Sequence, residues 1–407
     1  MSRRSTPQRA SRGLVTRGFA MVLGTVIAAA MIIAMQLPFA HERATSRITL
    51  DAITALPGST PPLAWPSVGS AALIIPSMHV AQSWHDTVVP IASLAKLMTA
   101  YVVLKQLPLP EGSTGPCLTI TSSDVATYDE MKLSGQSSVE VAVGESLCER
   151  DLLEGLLVHS ANNFALLLAT MVSGDVANFV TLMNDSAQRL GLTHTHYVEP
   201  SGYLDGSVST ALEQGELAAL LMKSPLVRQI VLMANITLPV AGTVSSFTPF
   251  IGVDHVIGVK SGRTDAAGGC DVMAMTFQEG ATTRVLYAVV LGQRGGDLLT
   301  PAGDAALALA TSASENELDH YFAKGTSFAT IGWGRNRVHA GLRVGEHVWW
   351  WAGEQRLPLT ITMRRPTTTI RRGQLVGWLV VHGSSTRRFA LVAQATVSPP
   401  SLWQRLR

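Results

Sequence analysis

"VIGVKSGRTDAAGGCDVMAMTF" at residues 256–277, followed by "RVLYAVVLG" at 284–292, is the stretch that decides the fold. Its three apolar runs are joined by glycine-rich or polar turns, the pattern of an antiparallel meander. Upstream, "ERDLLEGLLV" (149–158), "NFALLLATMV" (163–172) and "DVANFVTLMNDSAQRLG" (175–191) have helical period, and "DAALALATSA" (304–313) does so downstream. A sheet and helices within one stretch of chain make the class α+β. Further out, "SAALIIPS" (70–77) and "HVAQSW" (79–84) form a predicted hairpin. A helix is expected from about Ser93 to Gln106, stopped by "LPLP".

Beyond about residue 325 the texture is β again, with "RVHAGLRVG", "HVWWWAG", "LPLTITM" and "LVGWLVV" spaced by turn residues, so a smaller C-terminal β domain is expected. The resulting division is residues 1–46 as cytoplasmic tail and transmembrane signal-anchor, 47–67 as Pro-rich linker, 68–320 as the main domain and 321–407 as the β-rich domain. At 407 residues and 47% hydrophobic content the chain is long enough for this. A formal charge of +2, with no basic run interleaved with aromatics in the folded part, argues against nucleic acid as a partner.

Arg3, Arg4, Arg9, Arg12 and Arg17 precede an uncharged stretch at 18–35, "GFAMVLGTVIAAAMIIAM". As a helix it spans roughly 27 Å, near the thickness of a membrane's hydrocarbon. The arginines stay inside and the rest of the chain is exported, whether the segment is an uncleaved anchor in the cytoplasmic membrane or a cleaved signal peptide. Export permits disulfides. Cys117 opens "CLTIT" and Cys148 closes "VGESLC", the favoured pair, with Cys270 left as a buried thiol; three unpaired cysteines stay open as the alternative.

Ser93 and Lys96, in "PIASLAKLMTA" (90–100), stand at i and i+3, so one helical turn brings an amine within reach of a hydroxyl. A lysine that loses its charge in a low-dielectric pocket can act as the base that such a hydroxyl needs. Ser160 and Asn162, in "HSAN" (159–162), lie at a break between two helices, where a hydroxyl can relay a proton and an amide can hold a peptide group. Lys260, Ser261 and Gly262 end an apolar strand; the first two suit a substrate carboxylate, and glycine admits close approach of another backbone. Each motif alone reads more readily as a helix cap or a charged strand end.

In this order, Ser93-Leu-Ala-Lys96, Ser160-Ala-Asn162 and Lys260-Ser261-Gly262 resemble the three motifs of penicillin-recognising serine acyltransferases. "PIASLAKLMTAYVVL", "DLLEGLLVHSANNFALLLA" and "GVKSGRTDAAGGC" are similar to low-molecular-mass D-alanyl-D-alanine carboxypeptidases over about residues 68–293. The resemblance implies a β-lactamase/transpeptidase-like domain, an antiparallel sheet flanked by helices. It implies acylation of Ser93, Lys96 as its base and Ser160 as proton relay to the departing D-alanine. Asn162 would position the peptidoglycan stem peptide, and Lys260 and Ser261 would bind its carboxylate. The oxyanion hole would use the backbone N–H groups of Ser93 and Arg263. Penicillin-type inhibitors are implied as ligands; no cofactor is.

Two departures stand out. Ser261 replaces the usual threonine, and "THTHYVEPSGYLDG" (193–206) carries Glu199 where the family has asparagine. A β-lactamase, a D,D-endopeptidase and a non-catalytic cell-wall scaffold remain as rival readings. "HTH" (194–196) has ligand-like spacing, but no motif places a third ligand, so no metal is expected.

Overall fold

The computed structural model describes residues 23–29, 31, 43–49, 62–110, 112–279, 282–351, 359–382 and 386–401. Strands β1 (Ser70–Ile75), β2 (Val80–Trp84), β3 (Val256–Thr264), β4 (Gly268–Glu279) and β5 (Thr282–Gln293) form one antiparallel sheet in the order β3-β4-β5-β1-β2. All six residues of β1, "SAALII", are buried because both faces of the sheet are covered. Ala72, Ile74, Val289 and Leu291 pack on a helical layer. Leu73, Ile75, Ala288 and Val290 meet a single C-terminal helix through its Ala302, Ala306, Leu309 and Ala310.

The helical layer holds α1 (Ala95–Gln106), α2 (Ser122–Leu133), α3 (Glu149–Leu157), α4 (Asn162–Ser173), α5 (Val176–Leu190), α6 (Ala211–Leu221) and α7 (Pro225–Val231); α8 (Leu299–Ser314) is the helix on the opposite face. Eight of the twelve residues of α1 are buried, so it is the central helix, apolar nearly all round rather than amphipathic. Burying a side chain such as Leu97 stabilises by about 2 kcal/mol. The charged side chain among those eight is Lys96, which a core helix admits only if its partners are supplied from elsewhere.

Cys117–Thr119 and Ser146–Cys148 pair as a two-stranded ribbon with Cys117 opposite Cys148, and these two cysteines form a disulfide. Cys270 is a buried free thiol. The α+β class is thus the observed one.

A second core lies in the C-terminal part, built on β6 (Glu317–Phe322), β7 (Ser327–Trp333), β8 (Asn336–Leu342), β9 (Glu346–Trp351), β10 (Leu359–Met363), β11 (Leu375–His382) and β12 (Thr386–Ala393). Its main sheet begins with a strand from far upstream: Thr45–Ile48 pairs antiparallel with β7, Thr45 opposite Gly332 and Ile48 opposite Ala329. The reading from sequence divides these residues between anchor and linker at 46/47; instead they satisfy the free edge of β7, a pairing too distant in sequence to leave a local signal. The expected boundary at 320/321 likewise falls inside β6, which pairs with β9.

Of the apolar stretch 18–35, residues 23–29 and 31 are described and helical. The rest of that stretch, and most of the Pro-rich linker, lie outside the described residues. Among the described residues no single helix is long and apolar enough to cross a membrane.

Candidate active site

Ser93 sits in a single 3-10 turn, Ala92–Leu94, that leads into α1, rather than in the α-helix itself. Ala92, just before it, has φ 48°, in the left-handed region that side chains disfavour by about 1–3 kcal/mol and that clusters at functional sites. The i, i+3 spacing survives, and Lys96 Nζ stands 2.9 Å from Ser93 Oγ.

Lys96 is fully buried, and its amine also donates to Asn162 Oδ1 (2.7 Å) and to the Ser201 carbonyl (2.6 Å). Asn162, the first residue of α4, is oriented in turn: its Nδ2 donates to Gln136 Oε1 at 2.9 Å, which leaves Oδ1 facing the amine. A neutral amine has two N–H groups and one lone pair. Two of its neighbours here are carbonyl-type oxygens that can only accept, so the N–H groups go to them and the lone pair is left for the one neighbour able to donate, Ser93 O–H. Burial, with help from the charge of Lys260, holds the amine well below the usual lysine range, and Glu199 acts in the opposite sense.

The break between α3 and α4 presents Ser160, buried and with φ 59°, to the same cleft as Ser93, Asn162, Ser261, Gly262 and Arg263. The cleft opens along β3, an edge strand of the sheet. Gly262 is there for a steric reason: a Cβ at this position would lie 2.6 Å from the Ser93 backbone nitrogen. On the other side Gly202, φ 77°, packs on the Ala92 carbonyl, 1.8 Å from where its Cβ would stand. The turn holding Ser93 is thereby clamped between two glycines.

A model of the D-alanyl-D-alanine carboxypeptidase family matches residues 79–295, more than half of the chain. The chain belongs to that family. A D-alanyl-D-alanine endopeptidase of Pseudomonas aeruginosa is 33% identical over 261 residues, covering 59% of this chain and 79% of the relative. A D-alanyl-D-alanine carboxypeptidase of Escherichia coli is 34% identical over 133 residues, 32% of this chain and 33% of that one. Among solved structures, penicillin binding protein 5 from Haemophilus influenzae superposes with a TM-score of 0.59 at 20% identity, covering 84% of this chain and all of that one. At that identity the likeness establishes the fold.

Within this carboxypeptidase-family site two expected residues stand differently from the simplest reading. Lys260 is fully buried behind the cleft wall, with Nζ donating to the Ser261 carbonyl at 2.7 Å. Burial holds its pKa below the ordinary lysine range, the Asp271 carboxylate opposing. Ser261 Oγ donates to the Phe247 carbonyl at 2.8 Å, so its hydroxyl must turn to meet a substrate carboxylate. Arg263 is exposed, its guanidinium donating to the Asp297 carbonyl at 2.7 Å while its backbone stays on β3.

Gln136, Ser201 and Asp271 belong to the site but to no motif. Asp271 lies opposite Ser261 on β4, fully buried, neither oxygen hydrogen-bonded, and burial raises its pKa. A charged residue inside an otherwise apolar strand is a signal that could have marked it. Nothing local marks Gln136. His194 of "HTH" hydrogen-bonds Glu213 through Nδ1 at 3.0 Å, and among the described residues no three His, Cys, Asp or Glu gather as a metal site.

Proposed function

We propose that the protein is a serine-type D-alanyl-D-alanine carboxypeptidase that removes the terminal D-alanine from peptidoglycan stem pentapeptides and is inhibited by penicillins. The observation that carries this is the placement of the buried Lys96 amine, its Nζ 2.9 Å from Ser93 Oγ and hydrogen-bonded to Asn162 Oδ1 and the Ser201 carbonyl. Lys96 takes the hydroxyl proton as Ser93 Oγ attacks the penultimate D-alanine carbonyl. The developing oxyanion is met by the backbone N–H groups of Ser93 and Arg263, and Ser160 passes the proton to the departing amine. Asn162 positions the acyl part, Ser261 takes the terminal carboxylate, and Lys260 favours it by charge from behind the wall. Water then releases the acyl group from Ser93.

Mass spectrometry of the intact protein tests this, first with penicillin and then with a pentapeptide ending in D-Ala-D-Ala. A penicillin adduct on Ser93 and loss of one D-alanine from the peptide are expected. An unmodified protein would leave a scaffold that kept the fold; rapid turnover of a chromogenic β-lactam would make it a β-lactamase.

A second reading, cleavage of peptide cross-links by the same residues, is favoured by the name of one relative, the endopeptidase of P. aeruginosa. Products from cross-linked and uncross-linked muropeptides separate the two activities. The arginine-flanked stretch at 18–35 supports a single-pass anchor in the cytoplasmic membrane, with the enzyme outside. The division into an enzymatic domain and a C-terminal β-rich domain is proposed with it.

A further inference from the structure

Lys96 takes one of its three hydrogen bonds from a loop rather than from a motif, and that loop is tied together by a carboxylate. Glu199 Oε2 accepts from the Ser201 backbone N–H at 2.6 Å and Oε1 from the Leu204 N–H at 3.3 Å, so the side chain bridges two donors of the loop that follows it. The carbonyls between these tethers both face α1. Pro200 O accepts from Thr99 Oγ1 at 2.6 Å, and Ser201 O accepts from Lys96 Nζ at 2.6 Å. Gly202 then packs against Ala92, beside the nucleophile.

We infer that Glu199 is a positioning residue for the Lys96 amine: its carboxylate folds the 199–204 loop so that the Ser201 carbonyl is aimed at Nζ, and it sets a negative charge behind that contact. This rests on the reading of Ser93 as the acylated serine. Without the tether the Ser201 carbonyl is free to turn away. One N–H of the amine would then lose its partner, and the lone pair would no longer be confined to the direction of Ser93. A displacement of about 1 Å in such a group costs on the order of a hundredfold in rate.

The charge acts separately from the tether. Two charged groups act on the amine, Lys260 from β3 and Glu199 from the loop, with opposite sign. Its other neighbours, Ser93, Asn162 and the Ser201 carbonyl, are uncharged; Arg263 and Tyr203 line the adjoining cleft. Glu199 favours the ammonium form, so it keeps Lys96 a stronger base than burial beside Lys260 alone would leave it. Removing the charge moves the amine's titration to lower pH.

The test is the second-order rate of acylation by a fluorescent penicillin from pH 5 to 9, measured on the full chain and on Glu199→Gln, Glu199→Asp and Glu199→Ala. Intact mass identifies the adduct, and circular dichroism checks the fold. The near-isosteric Gln variant should show the acid limb of the profile at lower pH than wild type, and Asp, which keeps the charge, should restore its position. Ala should move the limb in the same way and lower the plateau on the order of a hundredfold. A folded Gln variant with an unmoved limb would overturn the inference even if its rate fell, since both the lost charge and a displaced Ser201 carbonyl would lower the amine's titration. If Ala does not fold, Gln and Asp decide. A wild-type protein that forms no adduct would remove the reading of Ser93 first, and the inference with it.

Discussion

Lys96 Nζ and Asn162 Oδ1 are 2.7 Å apart although 66 residues separate them in the chain, and Gln136 holds that amide in place from a third segment. The amine therefore has its two N–H groups engaged before substrate arrives, and its lone pair is aimed by exclusion.

Lys96→Ala should lower the rate of penicillin acylation by on the order of 10²–10⁴-fold with Ser93 still present, the span typical of a lost general base. Ser93→Ala should abolish labelling altogether. In wild type the rate should rise with pH and level off above the Lys96 pKa, which burial and Lys260 place well below the ordinary lysine range, since the neutral amine is the active form. Stopped-flow acylation across pH reads both effects. A rate still climbing at pH 10 would contradict the base assignment.

Gly262→Ala should leave the protein folded and acylate on the order of a hundredfold more slowly. The new methyl would stand 2.6 Å from the Ser93 nitrogen, which is backbone and cannot swing aside, so the turn carrying the nucleophile must shift. Labelling rate compared with an unchanged circular dichroism spectrum is the measurement.

Glu149 begins α3 with its side chain buried and Oε1 unpartnered, and burial raises it to about 7 from an ordinary 4.5. Its folded-state pKa is the higher one, so the native state binds the extra proton between about 4.5 and 7, and this stabilising contribution is lost as pH rises through that window. Glu149→Gln should accordingly melt higher than wild type at pH 8, with the gap narrowing toward pH 4.5. Calorimetry at both values would show it, and a variant that melts lower at pH 8 would refute it.

Replacing Cys117 and Cys148 by serine should destabilise the fold by about 2–4 kcal/mol, since the bridge closes a loop with a sequence separation of 31. Cys270→Ser should leave that loop untouched. Urea unfolding of the two variants distinguishes them.

Much of this molecule was legible in its sequence because the signals are local. The meander at 256–292, the apolar α1 and the i, i+3 placement of Ser93 and Lys96 each depend on spacing within a few residues. The order of the three motifs was enough to recognise the family. What spacing could not show is how a charged side chain survives in the core helix: its partners come from Asn162 and Ser201, 66 and 105 residues away, brought together by packing that leaves no periodic trace. The left-handed backbone at Ala92 and Ser160, the strand formed by Thr45–Ile48 beside β7, and the hold of Glu199 on the Ser201 loop are of the same kind. Local sequence determined which groups are present and which element each occupies. Only the tertiary structure decided which donors and acceptors meet, because a buried amine or free strand edge is satisfied by whatever the folded chain brings to it.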